Sequence, residues 1–359
     1  MNNLSDIIRV EIDISQPASD NNSLDSLLIV GLPPVIAPLA PLPDVGVYFT
    51  LEGVAEAGFA PTDPVGEAAL IAFSQNPKPA QIFIAVQKEA EELALEPIAD
   101  TLSRALETPG WYVICPAGIG EEQFGQIAAW TEAQSKLFAY TFLKKVDPVG
   151  DIYYRSFGWC GLVHDSDLPG QVPAQNKYLH VAAVAKCLSY PSGSETWAFK
   201  QLSAVFPSFL STAQKKALAD GHSNYFAQYA GRNITMNGQV RAGEWIDVMR
   251  GVDWLKNDMQ LRLFNLMLLS PRIDYTNSGI AQVQNEMIAS LKSAQARGLV
   301  AEDEYDADGA LIPGYSTSVP NSADVDATQK ASRVLSGCTF KARPAGAIHV
   351  AEIRGNLTY

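Results

Sequence analysis

The chain has 359 residues, of which 47% are hydrophobic and 18% charged, a balance typical of a globular protein with room for about two domains of roughly 150 residues each. The formal net charge of −13, with no Lys/Arg cluster longer than two residues, excludes a surface built to hold a phosphate backbone. No apolar stretch reaches the roughly 20 residues that span a bilayer, and the first residues lack a signal-peptide pattern. We therefore expect a soluble protein made in the compartment where it acts.

The first predicted element is a β-strand close to the N-terminus. Four apolar residues alternate there with Arg9, Glu11 and Asp13, namely Ile8, Val10, Ile12 and Ile14. This period of two predicts a strand with one apolar face. A polar linker, residues 16–26, follows it.

Strands and helices are predicted to alternate from residue 27 to residue 142. Strands are predicted at 27–30, 81–87, 111–115 and 137–142, and a segment at 45–51 leads into helical sequence around 67–73. Further helices are predicted at 89–107, with a break at Pro97, and at 121–135. The alternation predicts an α/β layer with parallel strands.

Residues 150–240 mix Gly, Pro and aromatic residues, and we expect an irregular region there. The exceptions are helices predicted at 177–188 and 212–219, and a strand and turn at 225–237.

The last third has the clearest pattern. A strand-like run at 245–249 is predicted to turn at Gly251 into a buried helix, 252–269. A second helix follows, with Thr276 as N-cap and Gly298 just past its end. Beyond an acidic turn at 302–309, the predicted elements are a strand at 315–320, a helical turn at 326–335, a strand at 338–343 and a terminal strand at 347–359.

The terminal strand changes phase along its length. Ile348 and Val350 share one face, whereas Ile353, Leu357 and Tyr359 share the other. A bulge near 351–352, or a strand that serves two environments, would explain the change. We expect the proximal half to pack on its own domain and the distal half to reach a neighbour. From the residues alone, both terminal strands can equally pair within their own chain.

One glycine-rich turn resembles a phosphate-binding loop. Gly118 and Gly120 follow a predicted strand, but position 123 is Gln where a dinucleotide fingerprint requires glycine. An acidic residue about 20 positions further on is also missing. A structural turn that leads into a helix is the favoured interpretation.

Metal and nucleophile sites find no support in the sequence. The four histidines are isolated, and His164 with Asp165 and Asp167 precedes a turn sequence. The four cysteines have no CxxC spacing and lie among apolar or small residues, which favours buried, unpaired thiols. No Gly-x-Ser-x-Gly motif is present, and the carboxylate pairs lie in polar surroundings. We expect no enzyme activity, no cofactor and no metal.

Several segments of the last third resemble the contractile tail sheath proteins of myophages. They are residues 243–255 (GEWIDVMRGVDWL), 272–280 (RIDYTNSGI), 320–335, 345–349 (AGAIH) and 352–355 (EIRG). Together they cover 241–359 well, and earlier segments fit only loosely.

The resemblance implies a structural subunit that forms sixfold rings stacked helically around a rigid tail tube. Its fold class would be α/β: a compact sheath core with a mixed sheet and flanking helices, and extended N- and C-terminal β-strand arms. Implied segments are an N-terminal arm and linker (1–26), an α/β domain (27–240), a C-terminal sheath core domain (241–346) and a C-terminal strand arm (347–359).

The resemblance also implies site residues and partners. The arms would add strands to a sheet in neighbouring subunits, and the matching residues are Ile8, Val10, Ile12, Ile14, Ile348, Val350, Ile353 and Leu357. A tube-facing helix would correspond to 276–297, with Lys292 and Arg297 as tube contacts. Expected partners are other copies of the chain, a tail tube protein, and baseplate and tail terminator proteins, with no nucleic acid and no membrane.

The implied mechanism is mechanical. An extended lattice trapped in a higher-energy packing would be released by a baseplate signal into a shorter, wider one, with residues 16–26 as a hinge. The protein would lie in the virion tail after synthesis in the cytoplasm of a bacterial host. Alternatives are another phage tail component, such as a tube or baseplate protein, and a nucleotide-dependent enzyme that uses the Gly118 loop.

Overall fold

The computed structural model describes residues 24–35, 41–89 and 95–352. The strands are β1 (Leu27–Gly31), β2 (Gly46–Tyr48), β3 (Ile82–Val86), β4 (Val113–Ala117), β5 (Leu137–Phe142), β6 (Ser156–Cys160), β7 (Asn224–Tyr229), β8 (Arg232–Met236), β9 (Glu304–Tyr305), β10 (Leu311–Ile312), β11 (Tyr315–Ser318) and β12 (Thr339–Ala342). The helices are α1 (Leu51–Glu56), α2 (Pro64–Phe73), α3 (Ile98–Leu106), α4 (Phe124–Glu132), α5 (Leu179–Leu188), α6 (Thr212–Asp220), α7 (Ile246–Leu269), α8 (Asn277–Ala296) and α9 (Ala327–Ser332).

The main sheet is mixed, as expected. Its strand order is β2-β3-β1-β4-β5-β6-β7-β8. The six inner strands run parallel, and β2 and β8 pair antiparallel at the two edges. Helices cover both faces, so the inner strands are buried on both sides and read as continuous apolar runs such as LLIVG in β1. The predicted α/β layer with parallel pairing is therefore confirmed.

Two elements of the first domain differ from the sequence prediction. Helix α3 begins at Ile98, not near residue 89, because Pro97 disfavours a helical conformation in the residue before it. Glu89 instead forms an isolated antiparallel bridge with Leu95. Strand β6, SFGWC, lies inside the region expected to be irregular and is fully buried in the sheet. Its short length and central Gly158 hide the strand pattern in the sequence.

Helix α7 also corrects a prediction. Residues 246–249 are helical rather than strand-like, and Gly251 lies inside the helix. The side chain of Leu299 packs against the bare Cα of Gly251, where an added Cβ would lie 2.3 Å from Leu299 Cδ1. The helix is not buried throughout, because Leu268 and Leu269 at its end are 69% and 81% exposed.

A third apolar cluster lies outside the main sheet. It joins the second half of α7 to α8 and to the small antiparallel sheet β11–β12, through residues that include Leu255, Met259, Met287, Leu291 and Phe340. The first half of α7 packs on the main sheet instead, through Ile246 and Met249. One helix therefore belongs to both cores.

Candidate assembly site

The β11–β12 sheet has one inner and one outer face. Tyr315 and Thr317 of β11 lie opposite Ala342 and Phe340 of β12. Tyr315 and Phe340 pack on the α7–α8 cluster, and the Thr317 hydroxyl accepts a 3.0 Å hydrogen bond from Gln284 of α8. The alternate positions along both strands are exposed. The inner face fixes this sheet on the helices, and its outer face remains in solvent.

Neither edge of this sheet has a partner strand among the described residues. Within residues 24–35, 41–89 and 95–352, no third strand pairs with β11 or β12. An open edge presents backbone N–H and C=O groups that can pair with an incoming strand. The site can therefore accept a strand on either side.

The chain beyond β12 remains attached to the helical unit as far as Ala345. Arg343 N–H donates to Gly314 O and its carbonyl accepts from Ala301 N–H, both at 2.8 Å. Ala345 N–H then donates to Leu299 O at 3.0 Å. Gly346 follows with a φ of 69°, a left-handed conformation that suits glycine, and the chain turns away there.

Residues 347–352 form no strand within this chain. Ile348 and Val350 are 86% and 79% exposed, so this segment does not contact the described part of its own chain through those two side chains. His349, on the opposite side, is half-buried and makes the contact instead. Because alternate residues of an extended segment point in opposite directions, placing His349 inward turns both neighbours outward.

The other expected strand-exchange residues, Ile8, Val10, Ile12, Ile14, Ile353 and Leu357, lie outside the described residues, as does the linker over residues 16–23. Strand exchange by these residues stays a prediction.

A buried ion pair attaches α7 to the main sheet. Arg155, just before β6, donates to both carboxylate oxygens of Asp253 at 2.9 and 3.0 Å. The Tyr112 hydroxyl donates to the same carboxylate at 2.5 Å. Burial, and next the charge of Asp253, raise the pKa of Tyr112 well above its ordinary value. Burial opposes the charge of Arg155, but Asp253 outweighs it and raises the Arg155 pKa.

Arg250, one turn earlier on α7, is the second anchor. Its fully buried guanidinium donates to Glu195 at 2.6 Å and to Asp25 at 2.7 Å. It also donates to four backbone carbonyls, those of Leu24, Cys187, Leu188 and Tyr190. Sequence reasoning did not assign these roles to Arg250 and Asp253. The sequence offers one signal, because Arg250 and Asp253 are two charged residues three positions apart in an otherwise apolar part of α7. A buried charge is costly without a partner, so each of them predicts an ion pair with another part of the chain.

The segments that carry the resemblance contact each other in pairs. Asn277, in the 272–280 segment, accepts a 2.7 Å hydrogen bond from Ser322 N–H in the 320–335 segment. Trp245, in the 243–255 segment, makes an edge-on ring contact with His349, at 4.6 Å between centroids. These segments are distant in sequence, but the fold brings them into contact with each other around α7 and α8.

Helix α8 forms as predicted. The Thr276 hydroxyl caps it by accepting from Gly279 N–H at 3.1 Å, and Gly298 follows its end with a φ of 81°. The two expected tube contacts differ in setting. Lys292 is exposed, whereas the Arg297 guanidinium lies over the Trp254 ring at 4.2 Å and donates to Ser192 O at 3.4 Å. Arg297 is therefore engaged inside the subunit.

The Gly118 turn lies where many α/β proteins bind ligands. The chain leaves β1 for β3 on one side of it and then crosses from β3 to β4 on its other side, and the crevice at such a switch point is the usual site. Here the crevice is filled, because a Cβ at Gly118 would lie 2.9 Å from Pro64 Cβ. The carboxylate of Glu122 lies against Gly120. A carboxylate and a proline ring at this position oppose phosphate binding, so the geometry gives the nucleotide-enzyme alternative no support.

The other candidate sites also have structural explanations. Asp167 accepts the backbone N–H groups of Val163 and His164, and Asp165 accepts that of Ser211. Across the described ranges, no group of three or more His, Cys, Asp or Glu side chains is placed to hold a metal ion. The cysteines are free, as predicted; Cys115, Cys160 and Cys187 are buried, whereas Cys338 is half-buried. No helix in the described part of the chain is both long and apolar enough to cross a membrane.

Residues 246–357 match the family model described as E217 tail sheath protein gp31-like, C-terminal domain. The predicted resemblance to tail sheath proteins is confirmed. The match begins where α7 begins and takes in α8 and the open-edged sheet. A comparison with curated proteins finds no match.

Solved structures from contractile assemblies and a sheath tail protein resemble most of the chain. An anti-feeding prophage (AFP) baseplate structure matches with a TM-score of 0.69 at 13% identity, over 98% of each chain. The AFP helical sheath in the contracted state matches with a TM-score of 0.68 at 12% identity, over 97% of this chain and 98% of that one. The sheath tail protein Lin1278 from Listeria innocua matches with 0.53 at 7% identity, over 85% and 91%. At these identities the likeness establishes the fold, so the sheath fold extends to the α/β part of the chain.

Proposed function

We propose that this protein is the structural subunit of a contractile phage tail sheath, which polymerises as stacked hexameric rings around the tail tube. Contraction would drive the tube through the host envelope. The observation that carries the proposal is the β11–β12 sheet, which is fixed on α7 and α8 and has no third strand at either edge in the described part of the chain. The family match over the same residues and the likeness to a contracted helical sheath support it.

In this proposal each subunit is both an acceptor and a donor of strands. The sheet accepts, and the alternating segments at 7–15 and 348–359 donate, because each has an apolar face that pairing would bury. The outward Ile348 and Val350 side chains support the donor role of the C-terminal segment, since they are 86% and 79% exposed. Every added strand would also be held by backbone hydrogen bonds, so neighbouring copies would stay linked while whole subunits move.

The proposed partners follow from this role. They are other copies of the chain, a tail tube protein facing α8, and baseplate and tail terminator proteins at the two ends of the sheath. The apolar end of α7, with Leu268 and Leu269 in solvent, supports burial against another copy in the assembled state. The net charge of −13 opposes a nucleic-acid partner. No cofactor and no catalytic step are part of this role.

The proposal is tested by removing the N-terminal donor. We expect a chain that lacks residues 1–20 to fold, because these residues precede β1, but to form no tubes in negative-stain electron microscopy. Full-length protein should form striated hollow tubes. Tubes formed by the truncated chain would disprove the arm's role.

A matched pair of variants separates the apolar face of the arm from its charges. Val10→Asp with Ile12→Asp should abolish tubes, because the pairing strand loses its buried face. Glu11→Asn with Asp13→Asn changes the other face of the same segment and should leave tubes intact. Equal loss in both variants would contradict the predicted register.

A baseplate component is the second candidate, because an AFP baseplate structure matches as well as the contracted sheath does. A baseplate protein should form closed rings of fixed size, whereas a sheath subunit forms tubes of variable length. Micrographs of the purified full-length chain distinguish them directly.

A further inference from the structure

The side chain of Leu299 packs into a notch formed by two glycines. An added Cβ at Gly251 of α7 would lie 2.3 Å from Leu299 Cδ1, and one at Gly193, in the loop after α5, would lie 3.1 Å from Leu299 Cβ. Both distances are shorter than the about 3.5–4.0 Å at which carbon atoms pack, so any side chain at either glycine would displace the leucine. We call Gly193 and Gly251 the Leu299 notch.

Local structure at the end of α8 fixes the position of Leu299. Leu299 N–H donates to Ala294 O at 3.0 Å and Gly298 N–H donates to Gln295 O at 2.9 Å, the two bonds of a Schellman motif. The carbonyl of Leu299 accepts from Ala345 N–H at 3.0 Å, just beyond β12. The backbone of Leu299 is therefore bonded both to α8 and to the chain that continues β12.

The loop that contains Gly193 belongs to the α/β domain. It follows α5, whose ten residues are all buried, and it is held by Glu195, which accepts from Arg250 at 2.6 Å. Beside the notch, Arg297 donates to Ser192 O of this loop at 3.4 Å and lies over the Trp254 ring. Trp254 packs against both the main core and the α7–α8 cluster. The notch is thus at the junction of the two cores.

Helix α7 is a weak constraint on orientation when it acts alone. It has 24 residues, so it is about 36 Å long, and helices of this length commonly curve. A second contact away from the helix axis limits such bending. The contacts of Leu299 with Gly193 and of Arg297 with Ser192 lie outside α7 and supply it.

We propose that Leu299 is a positioning residue, which fixes the orientation of the β11–β12 sheet relative to the main sheet by packing into the notch of Gly193 and Gly251. The orientation itself does not depend on the proposed sheath function. Its consequence for assembly does, because a sheet held at one angle presents one geometry to an incoming strand. A sheet that takes several angles binds more weakly, in proportion to the fraction of molecules at the competent angle.

The orientation is tested by double electron–electron resonance with one spin label on each unit, in dilute full-length protein that does not polymerise. The labels are attached at Lys216→Cys on α6 and Ser316→Cys on β11, both exposed positions. Cys338→Ser removes the half-buried thiol, and the other native cysteines are buried. The wild-type background should give one narrow distance distribution. Leu299→Ala should lose it and give a broad one, because the notch is left unfilled.

Three further variants separate the notch from general loosening of the core. Gly251→Ala displaces Leu299 from the opposite side and should also broaden the distribution. Leu299→Met nearly conserves volume and should keep the distribution narrow. Val283→Ala truncates another half-buried residue of the α7–α8 cluster, away from the notch, and should keep it narrow as well.

Circular dichroism shows which variants fold, and if one notch variant does not, the other decides. A narrow distribution in a folded Leu299→Ala or Gly251→Ala chain would overturn the proposal, because α7 alone would then set the orientation. Equal broadening by Val283→Ala would overturn it too, since any loss from the cluster would have the same effect.

The consequence for assembly is tested by light scattering on the unlabelled chain. If one molecule in about ten keeps the competent angle, Leu299→Ala should need about tenfold more protein than wild type to polymerise. Val283→Ala should polymerise at the wild-type concentration. An unchanged concentration for Leu299→Ala would overturn the role in assembly, whatever the distances show. Failure of wild type itself to polymerise would disprove the sheath function and leave the distance result standing.

Discussion

Asp253 is a single residue on which the attachment of α7 depends. Its carboxylate is buried and accepts from Arg155 and Tyr112 at 2.5 to 3.0 Å. Asp253→Asn leaves the Arg155 charge buried without its counter-charge, which typically costs about 3–5 kcal/mol of folding free energy. The matched Asp220→Asn change, at an exposed pair with Lys216, should cost well under about 1 kcal/mol. Urea unfolding of both variants checks this, and equal costs would contradict the anchoring role.

Lys136 gives the fold a measurable dependence on pH. Its ammonium group donates to Trp111 O at 2.6 Å and lies over the Trp111 ring. Burial lowers the pKa of Lys136 to about 7, although Asp253 partly opposes this. Between pH 7 and its ordinary 10.5 the unfolded chain binds the proton and the folded chain does not. Stability should therefore rise with pH in that window, by up to about 1.4 kcal/mol per pH unit.

The measurement is the difference in unfolding free energy between wild type and Lys136→Met at several pH values. The variant cannot titrate at this position, so the difference should change between pH 7 and 10 in favour of wild type. A constant difference would show that Lys136 keeps its proton in the fold.

At the scale of elements, α7 connects the two units of the subunit. Asp253 pairs with Arg155 just before β6, Arg250 pairs with Glu195 in the loop after α5, and the later turns of α7 pack on α8. Because one continuous helix belongs to both cores, the proposed sheath role predicts that a displacement of the β11–β12 sheet would reach the main sheet without a flexible joint. This arrangement suits a subunit that moves as a nearly rigid body.

Two variants of α8 separate a contribution to the stability of the subunit from a contact with the tail tube. Arg297→Gln should lower the unfolding free energy by roughly 1 kcal/mol, since it loses the contact with the Trp254 ring. Lys292→Gln should leave stability unchanged, because Lys292 is exposed. If α8 faces the tube, Lys292→Gln should instead weaken co-sedimentation with tube protein. Unchanged co-sedimentation would remove Lys292 from the tube contacts.

At the scale of the whole molecule, the net charge of −13 opposes close packing of copies. Salt screens this repulsion, and the Debye length falls from about 10 Å at 0.1 M to about 3 Å at 1 M. We therefore expect polymerisation to accelerate as the salt concentration rises, as followed by light scattering. Slower polymerisation at high salt would indicate that attractive charge pairs dominate the contacts between copies.

The sequence by itself determined the elements with strong local patterns. The period-two and apolar runs located β1, β3, β4 and β5, and the Thr276 cap and Gly298 bounded α8 closely, because these signals depend on neighbouring residues only. The segments of the last third also pointed to the sheath family before any fold was known. Strand β6 is missed because it is short and has a central glycine, and the start of α7 is missed because Gly251 suggests a turn although Leu299 packs against it within the helix.

Only the tertiary structure decided how these elements work together. It filled the Gly118 crevice with Pro64, turned Arg297 onto Trp254, and placed His349 between Phe199 and Trp245. Each of these contacts joins residues far apart in the chain, and no local periodicity specifies them. The open edges of β11 and β12 are likewise a property of the folded subunit, because whether a strand lacks a partner depends on where every other strand of the described chain lies.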